Sequence, residues 1–482
     1  MKTVNVLVIG VGPHARRIYV PAFFKLAKDY PVKLVAAVDI SPQKDLIDNY
    51  ITDNEYDMEM LYLDPFDPSR SIPKSSMEAL DDLTIRHNIN GVVIATEPTA
   101  HKVYAEWALR RGLHILMDKP VSTRKWVSVD INQARSLIDD YNELLELYKL
   151  QQKKEPTLFS VNVQRRYEHG FDKVKELVLE TSKKFNVPIT SMQIMHADGS
   201  WRFPREVLFQ DSHGLFEGMG KVSHSGYHLL DMAWQLYKTS QVKEKAVDEL
   251  EFFSSPLTPV GLDVCINEED YIRYFGDNYE KTGLSRKEYL SQVRDYGELD
   301  SFNIIRLLKD GENVCNISVS LLHSSFSARS WVIPSPDLYK GNGRVKHQQF
   351  ILQQGPFQSI HIHNYQSSAQ HDIDNSNQFD VGGNNHFDIY VFRNATMYGE
   401  KKPFTKISGY ELENRVDSGL TGENAKHRVI IEYIEFILGK IKLEEVRSNI
   451  DSHEISVKML SGVCQSGALI RSKMSSLVRM LI

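Results

Sequence analysis

The segment Lys221-Val222-Ser223-His224-Ser225-Gly226-Tyr227-His228-Leu229-Leu230-Asp231 carries two imidazoles and a carboxylate at three- and four-residue spacing. At helical periodicity His224, His228, Asp231 and Gln235 share one stripe, while Leu229, Leu230, Ala233, Trp234, Leu236 and Tyr237 cover the other faces. A polar stripe on an otherwise apolar helix must be satisfied inside the protein or face a cleft, and we read a cleft. An imidazole titrates near about 6.5, so it can accept and return a proton at neutral pH. Lys119 follows a strand-like run and precedes Pro120. An ammonium at the carboxyl edge of a sheet can hydrogen-bond a reacting oxygen and stabilise a developing alkoxide.

The second chemical signal lies at the N-terminus. Gly10-Val11-Gly12-Pro13-His14-Ala15 reads G-x-G-x-x-A after a buried strand and at the start of a helix. The first glycine allows the tight turn, the second lets backbone approach a pyrophosphate, and Ala15 permits close helix-to-strand packing. The helix N-terminus then offers N–H groups to phosphate. Asp39 ends the next strand, where a carboxylate accepts bonds from ribose hydroxyls and repels a 2′-phosphate. NAD is favoured over NADP, with nearby Lys44 softening the preference.

These groups need elements to hold them. Val4–Ile9 and Val32–Val38 read as strands buried on both faces, joined by a helical stretch Pro13–Asp29 into a βαβ unit. Residues 41–76 are polar and proline-punctuated, suggesting excursions on the sheet rim. Gly91–Ala95, a helix over Ala100–Arg111 and His114–Met117 restore the strand–helix alternation of a doubly wound α/β domain. A long amphipathic helix is expected from Trp126, through Ile131, Ala134, Leu137, Ile138, Tyr141, Leu144, Leu145 and Tyr148. From Leu158 the texture becomes strands without βαβ alternation (SVNVQRRY, SFNIIRLL, NVCNISVSLL, QQFILQ, QSIHIHNY), consistent with an antiparallel sheet in a second domain. Residues 425–482 read as helical. The expected organisation is α/β: a Rossmann domain over 1–155 with a doubly wound parallel sheet, and an α+β domain over 156–482 with a mostly antiparallel open sheet for substrate and oligomer contacts. The helices of 425–482 are expected to pack near the Rossmann domain.

Composition narrows the class. The 482 residues are 41% apolar and 25% charged, which is globular, and a net charge of −6 spread without long single-sign blocks argues against nucleic-acid partners. The three cysteines, Cys265, Cys315 and Cys464, form neither a disulfide framework nor a cysteine-rich zinc site. No run approaches a membrane span and no cleavable leader is visible, so a cytoplasmic protein is expected. His361 and His363 alternate on one strand face, but without an accompanying motif we assign no metal. Thr421–Asn424 and Gly382-Gly383 read as loops.

Two runs carry a resemblance. Val92-Val93-Ile94-Ala95-Thr96-Glu97-Pro98-Thr99-Ala100-His101, followed by Gly112-Leu113-His114-Ile115-Leu116-Met117-Asp118-Lys119-Pro120, resembles the nicotinamide-binding half of the Gfo/Idh/MocA oxidoreductases. There a strand ends in Glu-Lys-Pro; here Asp118-Lys119-Pro120 keeps carboxylate and lysine. The resemblance continues through Asn162-Val163-Gln164-Arg165-Arg166-Tyr167 and Ser466-Gly467-Ala468, and is loose over 240–420, where insertions put the substrate in doubt. It implies Thr96, Pro98, His101, Asp118 and Lys119 as cofactor residues beside Gly10, Gly12, Pro13, His14, Ala15 and Asp39. It also places His228 at the catalytic histidine of an Asp-x-Gly-x-His pattern whose aspartate is here His224, so the two imidazoles divide acid/base and orienting roles.

Lys119, His228, His224 and Asp231 are therefore the candidate catalytic set, and Arg166, Lys221 and Tyr227 the candidate substrate contacts. Rim salt bridges are an equally good reading of Arg165 and Arg166. The implied activity is NAD(P)-dependent hydride transfer on a carbinol or ketone carbon of a sugar, polyol or sugar-nucleotide-like substrate, in a homo-oligomer. Two other readings stay open: a redox-neutral epimerase, lyase or glycoside-cleaving enzyme that retains NAD, and a non-catalytic dinucleotide sensor.

Overall fold

The computed structural model describes residues 3–209, 214–332, 343–367, 386–413 and 422–482. The chain forms two compact units, one from 1–123, 137–167 and 422–457, the other from 124–136, 168–421 and 458–482.

The first unit is built on a parallel sheet of strands β1 (Val4–Ile9), β2 (Val32–Ile40), β3 (Glu59–Leu63), β4 (Gly91–Ile94), β5 (His114–Asp118) and β6 (Phe159–Asn162), in the order β3-β2-β1-β4-β5-β6. The central strands are almost wholly buried, as their continuous apolar runs require. The expected helix over 13–29 is two helices, α1 (Pro13–Arg17) and α2 (Tyr19–Leu26), because the chain bends at Ile18, whose N–H still bonds to His14 O at 3.0 Å. The stretch 41–76, read as polar rim, holds α3 (Lys44–Asp53) and edge strand β3, whose short apolar run 60–63 is flanked by Glu59 and Asp64 and is only half buried. α4 (Lys74–Arg86) and α5 (His101–Arg110) complete the alternation. β6 pairs parallel with β5, so the strand near Leu158 extends the first sheet instead of opening the second. The helix Gly422–Ile437 seals this core with Val429, Ile430, Tyr433 and Ile434. Thr421 lies outside the described residues, and 422–424 begin this helix instead of forming a loop.

The long helix expected from Trp126 is α6 (Ile131–Gln152). Trp126 has φ 65° and its N–H bonds to Glu217 O, while Asp130 Oδ1 accepts Asn132 N–H at 2.7 Å at the helix start.

The second unit holds a sheet of nine described strands: β7 (Ser191–Ala197), β8 (Glu249–Leu257), β9 (Asp300–Lys309), β10 (Glu312–Leu322), β11 (Lys346–Gln354), β12 (Gln358–Ser367), β13 (Phe387–Arg393), β14 (Phe404–Ile407) and β15 (Val478–Leu481). Pairing is antiparallel except for β7 with β10. β15 corrects the all-helical reading of 425–482. Residues Gln164–Tyr167 are a short 3-10 turn, not a strand. α7 (His169–Phe185) runs toward β7, while α8 (Pro204–Phe209) and α9 (Tyr227–Ser240) carry the segments discussed below. Gly382-Gly383 lies outside the described residues. Among the described residues no helix is long and apolar enough to cross a membrane.

Candidate active site

Gly10 sits at φ 91°, and a Cβ there would lie 2.7 Å from Thr96 N and 2.8 Å from Ala95 O, so only glycine fits between β1 and the end of β4. Gly12 differs. Its backbone is extended and a Cβ would meet nothing within 4 Å, leaving open space at the start of α1. Pro13 occupies the first helical position, where its missing N–H costs nothing, and Ala15 is fully buried. Asp39 is aimed at this turn: Oδ2 accepts Val11 N–H at 2.6 Å and Oδ1 accepts Ile40 N–H at 2.7 Å. Each carboxylate oxygen keeps a lone pair for a hydroxyl donor. A turn cradle open at Gly12, with an oriented carboxylate beside it, fits an adenosine diphosphate moiety.

The loops after β4 and β5 form the adjoining rim. Thr96 Oγ1 bonds to Glu97 O at 3.1 Å, and Pro98 opens a 3-10 turn leading into α5. His101 is fully buried, with Nδ1 2.8 Å from Pro120 O and Nε2 3.2 Å from Thr96 O. A neutral ring donates to only one of them, and burial, opposed by these carbonyls and by Asp118, holds its pKa below the ordinary value. A side chain so placed ties the two loops together.

Asp118 ends β5 at the carboxyl edge of the sheet, Lys119 follows it, and the Lys119–Pro120 peptide is cis. Burial pushes the Asp118 carboxyl up, but His14, Lys119 and Lys426 outweigh it and hold the group below the usual range. His14 Nε2 lies 3.8 Å from Asp118 Oδ2, and the ring packs edge-on to Tyr19. Burial lowers the His14 pKa to about 4, despite Asp118, so the imidazole is neutral at pH 7. Tyr19 is held well above its ordinary range by burial and by Asp118, and its hydroxyl accepts from Asn162 Nδ2 at 2.5 Å. Lys119 thus leaves a strand end whose carboxylate is fixed from several sides.

In the second unit, Val222–Gly226 form a π turn that runs directly into α9. Such wide turns concentrate at functional sites, because they swing a side chain out of α register. His224 lies within the turn and is partly exposed, while His228 and Asp231, on α9, are 8% and 0% exposed. The turn is anchored by Glu298: Oε1 accepts Val222 N–H at 2.7 Å, and its backbone carbonyl accepts Lys221 N–H at 3.0 Å. Burial pushes the Glu298 carboxyl up.

All three expected substrate contacts are buried. Arg166, 1% exposed, donates to Arg447 O at 2.9 Å and to Ser452 Oγ at 2.7 Å, so its fork anchors the 447–453 segment. Tyr227 is fully buried in the packing of α9. Lys221 is buried as well and is ion-paired with Asp198. Asp198 also receives His323 Nδ1 at 3.2 Å and Arg344 Nη2 at 3.5 Å. His323 and Arg344 lie more than a hundred residues from Asp198 in the sequence, and only strand order joins them. β7 and β10 end side by side, Ala197 opposite Leu322, and antiparallel β11 starts at that same edge, His347 opposite Ala197. His361 and His363 alternate on β12, and His347 packs 5.7 Å from the His363 ring; among the described residues no group of three or more such side chains is placed to hold a metal.

Residues 4–151 match the model of an oxidoreductase family with an NAD-binding Rossmann fold, GFO_IDH_MocA. The uncharacterized oxidoreductase C115.03 of Schizosaccharomyces pombe is 27% identical over 165 residues, 33% of this chain and only 37% of that relative's length. Among solved structures, the WlbA dehydrogenase from Bordetella pertussis in complex with NADH and UDP-GlcNAcA aligns over 100% of this chain and 99% of its own at 11% identity and TM-score 0.56. A putative myo-inositol dehydrogenase from Sinorhizobium meliloti aligns over 100% of both chains at 13% and 0.53. An aldose-aldose oxidoreductase from Caulobacter crescentus aligns over 99% of this chain and 100% of its own at 13% and 0.56. At these identities the structures speak to fold.

Proposed function

We propose, from the match of residues 4–151 to the NAD-binding Rossmann-fold oxidoreductase family model GFO_IDH_MocA, that the chain is an NAD(P)-dependent dehydrogenase or reductase acting on a carbinol or ketone carbon of a sugar, polyol or sugar-nucleotide-like molecule. The observation that carries the reading is the glycine turn with Asp39 bonded to Val11 N–H, a geometry suited to a dinucleotide and biased toward NAD. The bound nicotinamide supplies hydride acceptance and donation. The chain's own groups do the rest: Lys119 hydrogen-bonds the substrate oxygen, His228 exchanges its proton, and His224 and Asp231 orient the imidazole. His14, Thr96, Pro98 and Asp118 shape the cofactor side. The names of the solved relatives, which include a myo-inositol dehydrogenase and an aldose oxidoreductase, favour a polyhydroxylated substrate.

Oligomerisation through the second sheet is part of the proposal, supported by the half-exposed Phe253, Phe302 and Ile304 on its open face. A reducing, cytoplasmic setting suits three free cysteines, of which only Cys265 is exposed.

The test is direct. Purified protein is titrated with NADH and NADPH and assayed at the nicotinamide absorbance band against a panel of polyols, aldoses and sugar nucleotides. NADH binds more tightly than NADPH, and His228→Ala and Lys119→Ala each lower kcat by about 10²–10⁴-fold with NADH affinity retained. Failure to bind either dinucleotide overturns the reading. Cofactor that copurifies, with turnover but no net NADH, would assign the redox-neutral class instead.

A further inference from the structure

At one edge of the second sheet Lys221, His323 and Arg344 converge on Asp198. Asp198 is 4% exposed and is shared among Lys221, His323 and Arg344. Arg202 follows on the same loop, and its Nη1 is buried without a partner among the described residues. Burial pushes this guanidinium down to about 10, helped by Arg344 and Arg329 and opposed by Glu206 and Asp198.

Glu206 cannot serve Arg202 as a full counterion. Both its oxygens are taken by Arg329, at 2.6 and 2.7 Å, and that guanidinium in turn stacks on Phe203 at 4.0 Å. Arg329 and Glu206 thus match each other, while Lys221 and Arg344 both pair with Asp198 beside Arg202. A buried guanidinium nitrogen without an acceptor is costly, and a planar donor fork matches carboxylate and phosphate oxygens. Arg202 as a whole is only partly buried, which leaves an approach from solvent.

We propose that this edge is a subsite for an anionic group, carboxylate or phosphate, on the substrate, with Arg202 as its principal donor and Lys221 and Arg344, braced by Asp198, as the surrounding field. Lys221 links the subsite to the candidate acid/base pair, since it lies three residues before His224 and its carbonyl accepts Ser225 Oγ at 3.4 Å at the entry to the π turn. The substrate class therefore narrows to acidic or phosphorylated polyhydroxy compounds. This rests on the oxidoreductase reading only for what the anion is attached to.

The experiment is calorimetric titration of the full chain saturated with NAD+, and again without it, using inorganic phosphate, D-glucuronate and D-glucose as probes. The expected result is saturable binding of phosphate and glucuronate, with glucose at least about tenfold weaker than glucuronate. Arg202→Gln should weaken both anions at least about tenfold while leaving NAD+ affinity and the circular dichroism spectrum unchanged. If that variant folds poorly, Arg202→Lys carries the comparison, keeping the charge but losing the fork, so glucuronate suffers more than phosphate. Anion binding that is absent, or equal in wild type and both variants, overturns the subsite. Anion binding through Arg202 without any NAD-linked turnover keeps the subsite and sinks the oxidoreductase reading; turnover of neutral polyols indifferent to Arg202 does the reverse.

Discussion

Gly10 and Gly12 stand in the same turn, yet a methyl group added to each meets opposite surroundings. At Gly10 the φ of 91° and the contact with Thr96 N at 2.7 Å put strain and backbone overlap together. Gly10→Ala should cost at least about 2 kcal/mol of stability, seen as a lower urea midpoint. At Gly12 the new carbon meets nothing within 4 Å, so Gly12→Ala should keep the midpoint within about 0.5 kcal/mol. It should nonetheless weaken NADH at least about tenfold in a fluorescence titration, because the methyl occupies the space a pyrophosphate needs. A stable Gly10→Ala, or a Gly12→Ala that binds NADH normally, would separate the turn from the dinucleotide. This motif was legible in the sequence because turn, helix start and acidic strand end are fixed by local spacing. Arg166 and Tyr227 were not, since residue type cannot tell a donor committed to a carbonyl 281 residues away from one facing a ligand.

At the scale of elements, the π turn Val222–Gly226 depends on a residue remote in sequence. Glu298 accepts Val222 N–H, and a Cβ on Gly220 would overlap its carboxylate, so the acid fills a cradle made for it. Glu298→Ala removes the acceptor and should cost about 1–3 kcal/mol, with kcat falling more than substrate KM rises as His224 loses its position. Glu298→Gln keeps a carbonyl acceptor and should rescue both. The pH dependence has a definite sign. Burial raises the folded-state pKa of Glu298 above the unfolded value, so its stabilising contribution is complete at low pH and is lost as pH rises through the folded value. The glutamine variant should therefore gain on wild type in urea midpoint as pH is raised from about 4.5 toward neutrality. A difference that stays constant with pH would remove the buried acid from the account. Helical periodicity gave α9 its place and face, but not the π turn, because an inserted residue leaves the apolar spacing on either side intact. Strand β3 escaped detection for a different reason: its apolar run 60–63 is short and set in an acidic, proline-punctuated stretch that reads as rim.

For the whole molecule, strand register decides which surface is left open. Tracing paired residues across the second sheet, Tyr390, His361, Ile351, Gln193, Ser318, Ile304 and Phe253 stand side by side on one face. On the other face, Ile305, Ile317, Ile194, Phe350, Ile360 and Val391 are almost fully buried. The open face carries Phe253 at 41%, Phe302 at 48% and Ile304 at 49% exposure, neighbours on β8 and β9. The ion pairs of Glu251 with Arg306 and Arg479 border them. A contiguous apolar patch with a charged rim suits association between copies of the chain better than solvent. The proposed oligomer makes a clear demand of this patch. Phe302→Glu with Ile304→Glu should convert an oligomeric wild type to monomer in light scattering at tens of micromolar. Stability of the monomeric fold should change by less than about 1 kcal/mol, because both side chains already meet water. NADH affinity should be unchanged, since every residue of the glycine turn and Asp39 belongs to the other unit. A wild type that is monomeric at that concentration, or a variant that keeps its assembly, would mean that this face serves something other than self-association.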